Sequence, residues 1–244
     1  LVIAGNASTG SSTLAFRWTA ATGSIRLGDL AGGSVSSDGY DVSADGSVVV
    51  GSSVSGSGAE AFRWTAGSGM TGLGDLAGGL FSSRATAVCH DGSVVVGAGY
   101  SASGQEAFLW TAGTGMVGLG DLAGGSFNSV ANGVSADGSV VVGYSSSATA
   151  GAEPFIWDAT SGMRSLTFVL AAGGADLSDW QLSNALGISA NGRFVVGFGT
   201  HSGQTEGFLA DLGVVPEPGS LGLLALAGCA ALLRRQRRSR GGRA

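Results

Sequence analysis

The chain has 244 residues, 46 of them Gly and only 3 Pro, with 44% apolar residues, five Trp and a formal net charge of −5. So much apolar surface excludes a disordered linker, and Gly without a Gly-X-Y period or abundant Pro excludes collagen. Charged residues are only 12% and Lys is absent, so a long coiled coil built on Glu, Lys and Leu is excluded as well.

What remains is a β-rich, turn-rich body long enough for one large domain. From the N-terminus, Val2-Ile3-Ala4-Gly5 matches Val48-Val49-Val50-Gly51, 46 positions on. The chain opens inside a repeat, starts at Leu1 and shows no signal peptide, so an upstream piece is expected to be missing. The same spacing relates Trp18, Trp64 and Trp110, with Trp157 one residue later than the period. It also relates Asp29, Asp75 and Asp121 in Leu-Gly-Asp-Leu, and Asp45, Asp91 and Asp137 in Asp-Gly-Ser-Val-Val-Val-Gly. Asn191 takes the last place in a further copy, after an insertion of eight residues.

Each unit reads as four short strands, in the best-defined copy Ala85–Cys89, Ser93–Gly99, Glu106–Thr111 and Met116–Leu122. Asp91-Gly92 closes the first hairpin, because Asp supports an Asx-type turn and Gly accepts positive φ. The Val triplet is apolar toward both faces, as in a strand packed between layers. Glycine-rich links of four to eight residues make neighbouring strands antiparallel. Four strands every 40–50 residues predict an all-β, β-propeller-like repeat of five 46-residue blade-like units over residues 1–212, with a β-solenoid as the main rival. The first unit lacks its opening strand; the last ends at Phe208-Leu209-Ala210-Asp211, where Ala210 replaces the Trp. Between Leu166 and Ile188 the pattern breaks: Phe168–Ala172 reads as a helical turn, and the segment to Trp180 as a loop leading into a strand.

The charge is divided. Residues 1–215 hold 6 Arg against 16 acids, while residues 216–244 hold 6 Arg against Glu217 alone. An acidic body argues against nucleic acid as a partner. The tail runs from a Pro-Glu-Pro linker (213–220) through the uncharged Leu221–Leu233 to a basic end (234–244). Thirteen residues are short for a bilayer span, but flanking Arg side chains snorkel. Arg234, Arg235, Arg237 and Arg238 form a membrane stop that the positive-inside rule places in the cytoplasm, leaving the body outside.

These residues resemble two known patterns. Val215-Pro216-Glu217-Pro218, the apolar run and the Arg cluster resemble a PEP-CTERM sorting signal, with Pro216, Glu217 and Pro218 as its motif. The resemblance implies a Gram-negative bacterium, processing by a membrane exosortase, association with exopolysaccharide, and delivery to the cell surface or extracellular matrix. The body is similar to the HAF family of extracellular repeats, with Glu60-Ala61-Phe62 and Glu106-Ala107-Phe108 standing where that family has His-Ala-Phe, and Glu153-Pro154-Phe155 matching more loosely. That family implies an address and no agreed activity.

Candidate chemistry is sparse. Cys89-His90-Asp91 has nucleophile, base and acid types, but adjacent hairpin residues point apart, and other copies carry Ser43-Ala44 and Ser135-Ala136 there. His201 stands alone in a Gly-Ser loop, and no zinc set exists. Asp29, Asp75, Asp121, Glu60, Glu106, Glu153 and Glu206 are the calcium candidates, read first as turn-closing Asp and solvated-edge Glu. The repeated Trp residues are read as packing anchors rather than sugar platforms. Asn6-Ala7-Ser8 is a sequon of little weight in a bacterium. The expectation is an exported structural or adhesive repeat protein without catalytic residues, metal or cofactor. The alternatives are a carbohydrate- or Ca-binding propeller module and a propeller enzyme acting on glycans, its site in residues beyond this sequence or in the Gly173–Trp180 segment.

Overall fold

The computed structural model describes residues 1–10, 12–148 and 151–214. Five antiparallel meanders follow one another. The first has three strands, β1 (Val2–Thr9), β2 (Ser12–Thr19) and β3 (Gly23–Arg26). The second has four, β4 (Gly32–Val42), β5 (Val48–Ser55), β6 (Gly58–Thr65) and β7 (Gly69–Gly72). The third repeats them as β8 (Gly78–Val88), β9 (Val94–Ser101), β10 (Gly104–Thr111) and β11 (Gly115–Gly118). The fourth has β12 (Gly124–Val134), β13 (Val140–Ser147), β14 (Gly151–Asp158) and β15 (Gly162–Ser165), followed by α1 (Leu166–Ala172). The fifth has β16 (Trp180–Ile188), β17 (Phe194–His201) and β18 (Gln204–Asp211), ending in a 3-10 turn, Leu212–Val214.

Five meanders stand where the sequence reading has five units, the first and fifth with three strands each among the described residues; strand limits differ in detail. The opening strand of each interior unit is eleven residues long because a register shift lets its Gly-Gly start reach the far end of the next strand, as Gly78 pairs with Ser101. The outer strand is only four residues, so Leu119–Leu122 is irregular chain. Links are shorter than expected, two residues between β9 and β10 and three between β10 and β11.

The Asp-Gly turn shows why the pattern recurs. Asp45 Oδ1 accepts from Ser43 Oγ (2.7 Å) and from the Ser47 N–H (2.9 Å), while Ser43 Oγ accepts from the Val48 N–H (3.0 Å). Ser135, Asp137 and Val140 make the same set, and Ser189, Asn191 and Phe194 make it with an amide in place of the carboxylate. These donors hold the Asp45 and Asp137 carboxyls down at about 2. The glycine that follows has φ near +75° (Gly46 +74°, Gly138 +75°).

Packing runs from unit to unit. Val95, Phe108 and Trp110 of the third unit pack on Val48, Val50 and Ala61 of the second. The arrangement recurs at the other three junctions, with Val49 and Phe62 against Ala15, Val141 and Phe155 against Val96, and Val195 against Val142 and Ile156. The Val triplet thus serves both neighbours, one face to each. The fully buried aromatic is Phe62, Phe108 or Phe155. Of the repeated Trp residues, Trp64 is buried and Trp18, Trp110 and Trp157 are half-buried, so the Trp closes the rim of a core anchored by Phe.

Buried hydroxyls cross the same junctions. Ser83 Oγ accepts from the Ala61 N–H (3.0 Å) and donates to Gly74 O (2.6 Å). Ser37 does so toward Ala15 and Gly28, and Ser129 toward Ala107 and Gly120. The Asp-Gly turns are also laced together, with Ala44 N–H bonded to His90 O, His90 N–H to Ala136 O and Ala136 N–H to Ala190 O. Single parallel bridges, Ala59 with Ser82 and Gln105 with Asn128, join units two to four edge to edge in one 12-stranded sheet. The first and fifth units remain separate three-stranded sheets, so among the described residues the sheets do not close. The expected transmembrane helix, Leu221–Leu233, lies outside the described residues.

Candidate functional site

The end of the folded body is pinned. Arg193 Nε and Nη2 each donate to Asp211, at 2.7 Å, and Asp211 Oδ1 also accepts from the Gly213 N–H (2.9 Å). The Leu212 N–H reaches Arg193 O (2.8 Å). These donors hold the Asp211 carboxyl below the usual carboxylate range. The motif residues Pro216, Glu217 and Pro218, and Arg234, Arg235, Arg237 and Arg238, lie outside the described residues.

Within the body, Cys89 stands at the Asp91-Gly92 turn of the third unit. Its buried thiol donates to Asp91 Oδ1 (3.0 Å) and accepts from the Val94 N–H (3.1 Å), which are the bonds of Ser43 in its own turn. His90 is exposed and is held through its backbone. The row is a turn with a thiol in place of a hydroxyl.

The repeated acids are dispersed, and the structure gives five of the seven a local partner. Asp75 Oδ2 accepts from the Ser82 N–H (2.8 Å). Its other oxygen lies beside Gly99, where units two and four carry Ser53 and Ser145 with hydroxyls that accept from Leu30 and Leu122 N–H. Asp75 therefore turns inward where the third unit lacks a hydroxyl. Of the four repeated Glu residues only Glu206 is exposed: half-buried Glu60 and Glu106 accept from the Gly74 and Gly120 N–H groups, each at 3.0 Å, and half-buried Glu153 accepts from Ser165 Oγ. Burial, with the Glu106 charge beside it, raises the Asp121 carboxyl. Among the described residues no three His, Cys, Asp or Glu side chains are placed to hold a metal ion.

His201 is not alone. Its ring stacks on Trp180, with centroids 4.5 Å apart and planes 6° apart, and Nδ1 lies 3.1 Å from Glu206 Oε2. The insertion that brings Trp180 to this place hid the contact from the 46-residue period.

The surface feature that sequence reading missed is a cleft of about 540 Å³ lined by Arg17, Asp45, Arg63, Trp64 and Asp91. Arg17 Nε donates to Gly46 O (2.7 Å) and Arg63 Nε to Gly92 O (3.1 Å), each reaching the turn of the next unit. The same cleft is lined by Asp45 and Asp91, whose turn hydrogen bonds keep them ionised. Guanidinium donors and carboxylate acceptors beside an indole suit a neutral polyhydroxylated ligand better than a polyanion. The signal available in sequence was Arg two residues after the conserved-spacing Ala in the first two units only, at Arg17 and Arg63, against Leu109 in the third.

Comparison with known proteins decides one point. Residues 214–238 match the PEP-CTERM protein-sorting motif. The motif indicates an exported protein that an exosortase processes and sorts to the cell surface. No curated protein matches the chain. A putative TolB from Agrobacterium tumefaciens is 14% identical with a TM-score of 0.54, over 87% of this chain and 77% of that one, which shows the fold alone. TolB from Acinetobacter baumannii (14%, TM-score 0.46) is matched over 64% of this chain and 38% of its own. Hydrazine synthase from Kuenenia stuttgartiensis (10%, TM-score 0.42) is matched over 76% and 49%. The chain thus spans less than half the length of these last two. Among the described residues no helix is long and apolar enough to cross a membrane.

Proposed function

We propose that this chain is a non-enzymatic structural or adhesive protein of the cell surface or extracellular matrix, built as an open, propeller-like stack of HAF-type repeats. The observation that carries the reading is the junction at residue 214: a sorting motif follows directly on a body whose recurrent buried serines hold neighbouring units together. Pro216, Glu217 and Pro218 are the residues an exosortase reads. Leu221–Leu233 is the temporary anchor, and Arg234, Arg235, Arg237 and Arg238 stop it at the cytoplasmic face. The pinned Arg193–Asp211 end keeps the last sheet folded while the tail is handled. Exopolysaccharide is the partner that fits the destination. Replacing Pro216, Glu217 and Pro218 by Ala in an exosortase-bearing host is expected to retain an unprocessed chain in the membrane; surface delivery at the original level would refute the sorting role. Turnover of any member of a glycan panel would refute the non-enzymatic reading.

The Arg17–Arg63–Trp64 cleft favours a second reading, in which the stack binds neutral sugar chains. Pull-down on exopolysaccharide with and without calcium separates the two. Retention abolished by Arg63→Ala and indifferent to calcium supports the cleft, and no retention in either condition leaves the scaffold role.

A further inference from the structure

A polar hollow of about 280 Å³ lies between the second and third units, each flanked by a further unit on both sides. Tyr40 and Ser52 line it from one unit and Arg84, Tyr100 and Gln105 from the next, together with buried Ala98. Sheet geometry brings the third unit's residues to one face. Tyr100 pairs across from Gln105 and Arg84 across from Ala98, while Ala98 and Tyr100 stand two residues apart on β9.

These residues depart from the period. Where the third unit has Arg84, the second and fourth have Asp38 and Val130. Tyr100 stands for Val54 and Ser146, and Gln105 for Ala59 and Ala152. Ala98 stands for Ser52 and Tyr144, so the hollow opens at a position where the fourth unit carries a tyrosine. Residues that recur build the junctions; long polar side chains that enter one unit only, on one face, do not. Their polar ends are also unspent. The Arg84 guanidinium, the Tyr100 hydroxyl and the Gln105 amide make no hydrogen bond among the described residues, whereas Arg17, Arg63, Arg164 and Arg193 are each bonded.

The charge of the lining selects among ligands. It has one guanidinium and no carboxylate, unlike the Arg17–Arg63 cleft that Asp45 and Asp91 share. Asp75 is close by, but its oxygens face the Ser82 N–H (2.8 Å) and the Tyr100 N–H (3.4 Å). A guanidinium grips a carboxylate through two parallel hydrogen bonds. A phenol offers an apolar ring with a polar tip, and an amide both donates and accepts, as sugar hydroxyls require. Pockets for drug-sized ligands run from about 300 to 1,000 Å³, so this hollow admits one ring.

We propose that the hollow binds a sugar unit bearing a carboxylate, a hexuronate, with Arg84 on the carboxylate, Tyr40 and Tyr100 against the ring and Gln105 on its hydroxyls. The proposal goes beyond the adhesive reading and does not depend on it.

The test is calorimetric titration of the purified full chain with trigalacturonate and with its carboxyl-reduced, neutral counterpart. The acidic trisaccharide is expected to bind at least tenfold more tightly. Arg84→Val, which installs the fourth unit's residue, is expected to weaken that binding at least tenfold. Ala98→Tyr, again the fourth unit's residue, is expected to abolish it with Arg84 still present. Arg26→Val removes the same charge from an exposed position on β3 and is expected to leave the affinity unchanged. Urea unfolding midpoints establish that each variant is folded; if Ala98→Tyr is not, Arg84→Val decides. Galacturonate binding as tightly as the trisaccharide assigns the site to a free sugar acid, and a tighter trisaccharide assigns it to a chain; both uphold the proposal. Equal affinity for the neutral trisaccharide, no binding of either, or an equal loss in Arg84→Val and Arg26→Val would overturn it. Such a failure would leave the sorting role standing, because that role is read from delivery in the cell.

Discussion

Replacing Gly138 by Ala tests whether the units are stacked in the register described. Two costs meet at this residue. Its φ of +75° is a conformation that an L residue enters at about 1–2 kcal/mol. A Cβ there would also stand 2.5 Å from Val94 Cγ2 and 3.0 Å from Val94 Cβ, in the preceding unit. Val94 is β-branched and lies in a strand, so its χ1 has little room to give, and overpacking of this kind costs about 1–3 kcal/mol. Gly115 provides the control, with φ of +68° and nothing within 4 Å of its Cβ. Gly115→Ala is expected to cost about 1–2 kcal/mol and Gly138→Ala about 2–5 kcal/mol. The assay is urea unfolding followed by tryptophan fluorescence, with the slope checked for constancy because repeat proteins can lose cooperativity. In a Val94→Ala background both γ-carbons are gone, and the Gly138→Ala cost is expected to fall toward that of the control. Equal costs for Gly138→Ala and Gly115→Ala, or no relief from Val94→Ala, would refute the turn-on-valine contact and with it this stacking register.

Three further outcomes are expected. Ser83→Ala leaves a buried N–H of Ala61 and the Gly74 carbonyl without their shared partner, and should lower stability by about 1–3 kcal/mol in the same urea assay. Cys89→Ser restores the hydroxyl of the sibling turns and should leave the midpoint nearly unchanged, whereas Cys89→Ala should lower it by about 1 kcal/mol; the reverse order would show that the thiol has a separate role. Asp45 and Asp137, lowered from 3.8 to about 2, contribute stability that is complete above pH 3.8 and is lost as pH falls toward 2. Asp41 and Asp121, raised chiefly by burial, act in the opposite sense, so any gain on acidification belongs above pH 3.8 and the loss below it. Thermal melts across pH 7 to 2 check this, and a monotonic rise in stability down to pH 2 would contradict it.

Much of the fold was legible because each unit repeats its own instructions. Asp-Gly-Ser-Val-Val-Val carries a turn, its cap and a two-faced strand in consecutive residues, and local chemistry settles all three. Glu60 and Glu106 were misjudged because their acceptor role depends on an N–H that arrives 14 residues later, as Gly74 does for Glu60. Trp was preferred over Phe as the anchor because size alone was visible, while depth is set by which side chain sits at the middle of a junction. The pairing of His201 with Trp180 crosses an insertion that breaks the period, so no spacing rule could bring them together.

The tail belongs to the other class of information. A Pro-Glu-Pro break, an uncharged run and an Arg cluster are read in linear order, and their match at residues 214–238 needs no folded context. The number of units, their antiparallel strands and the route of export were therefore determined by sequence alone, through short-range turn geometry and a linear signal. Whether the sheets close among the described residues, and how Arg17 and Arg63 come to line one cleft with Asp45 and Asp91, were decided only by the tertiary structure. Those properties depend on the angle and offset between successive units, which accumulate from packing across four junctions and are written in no single repeat.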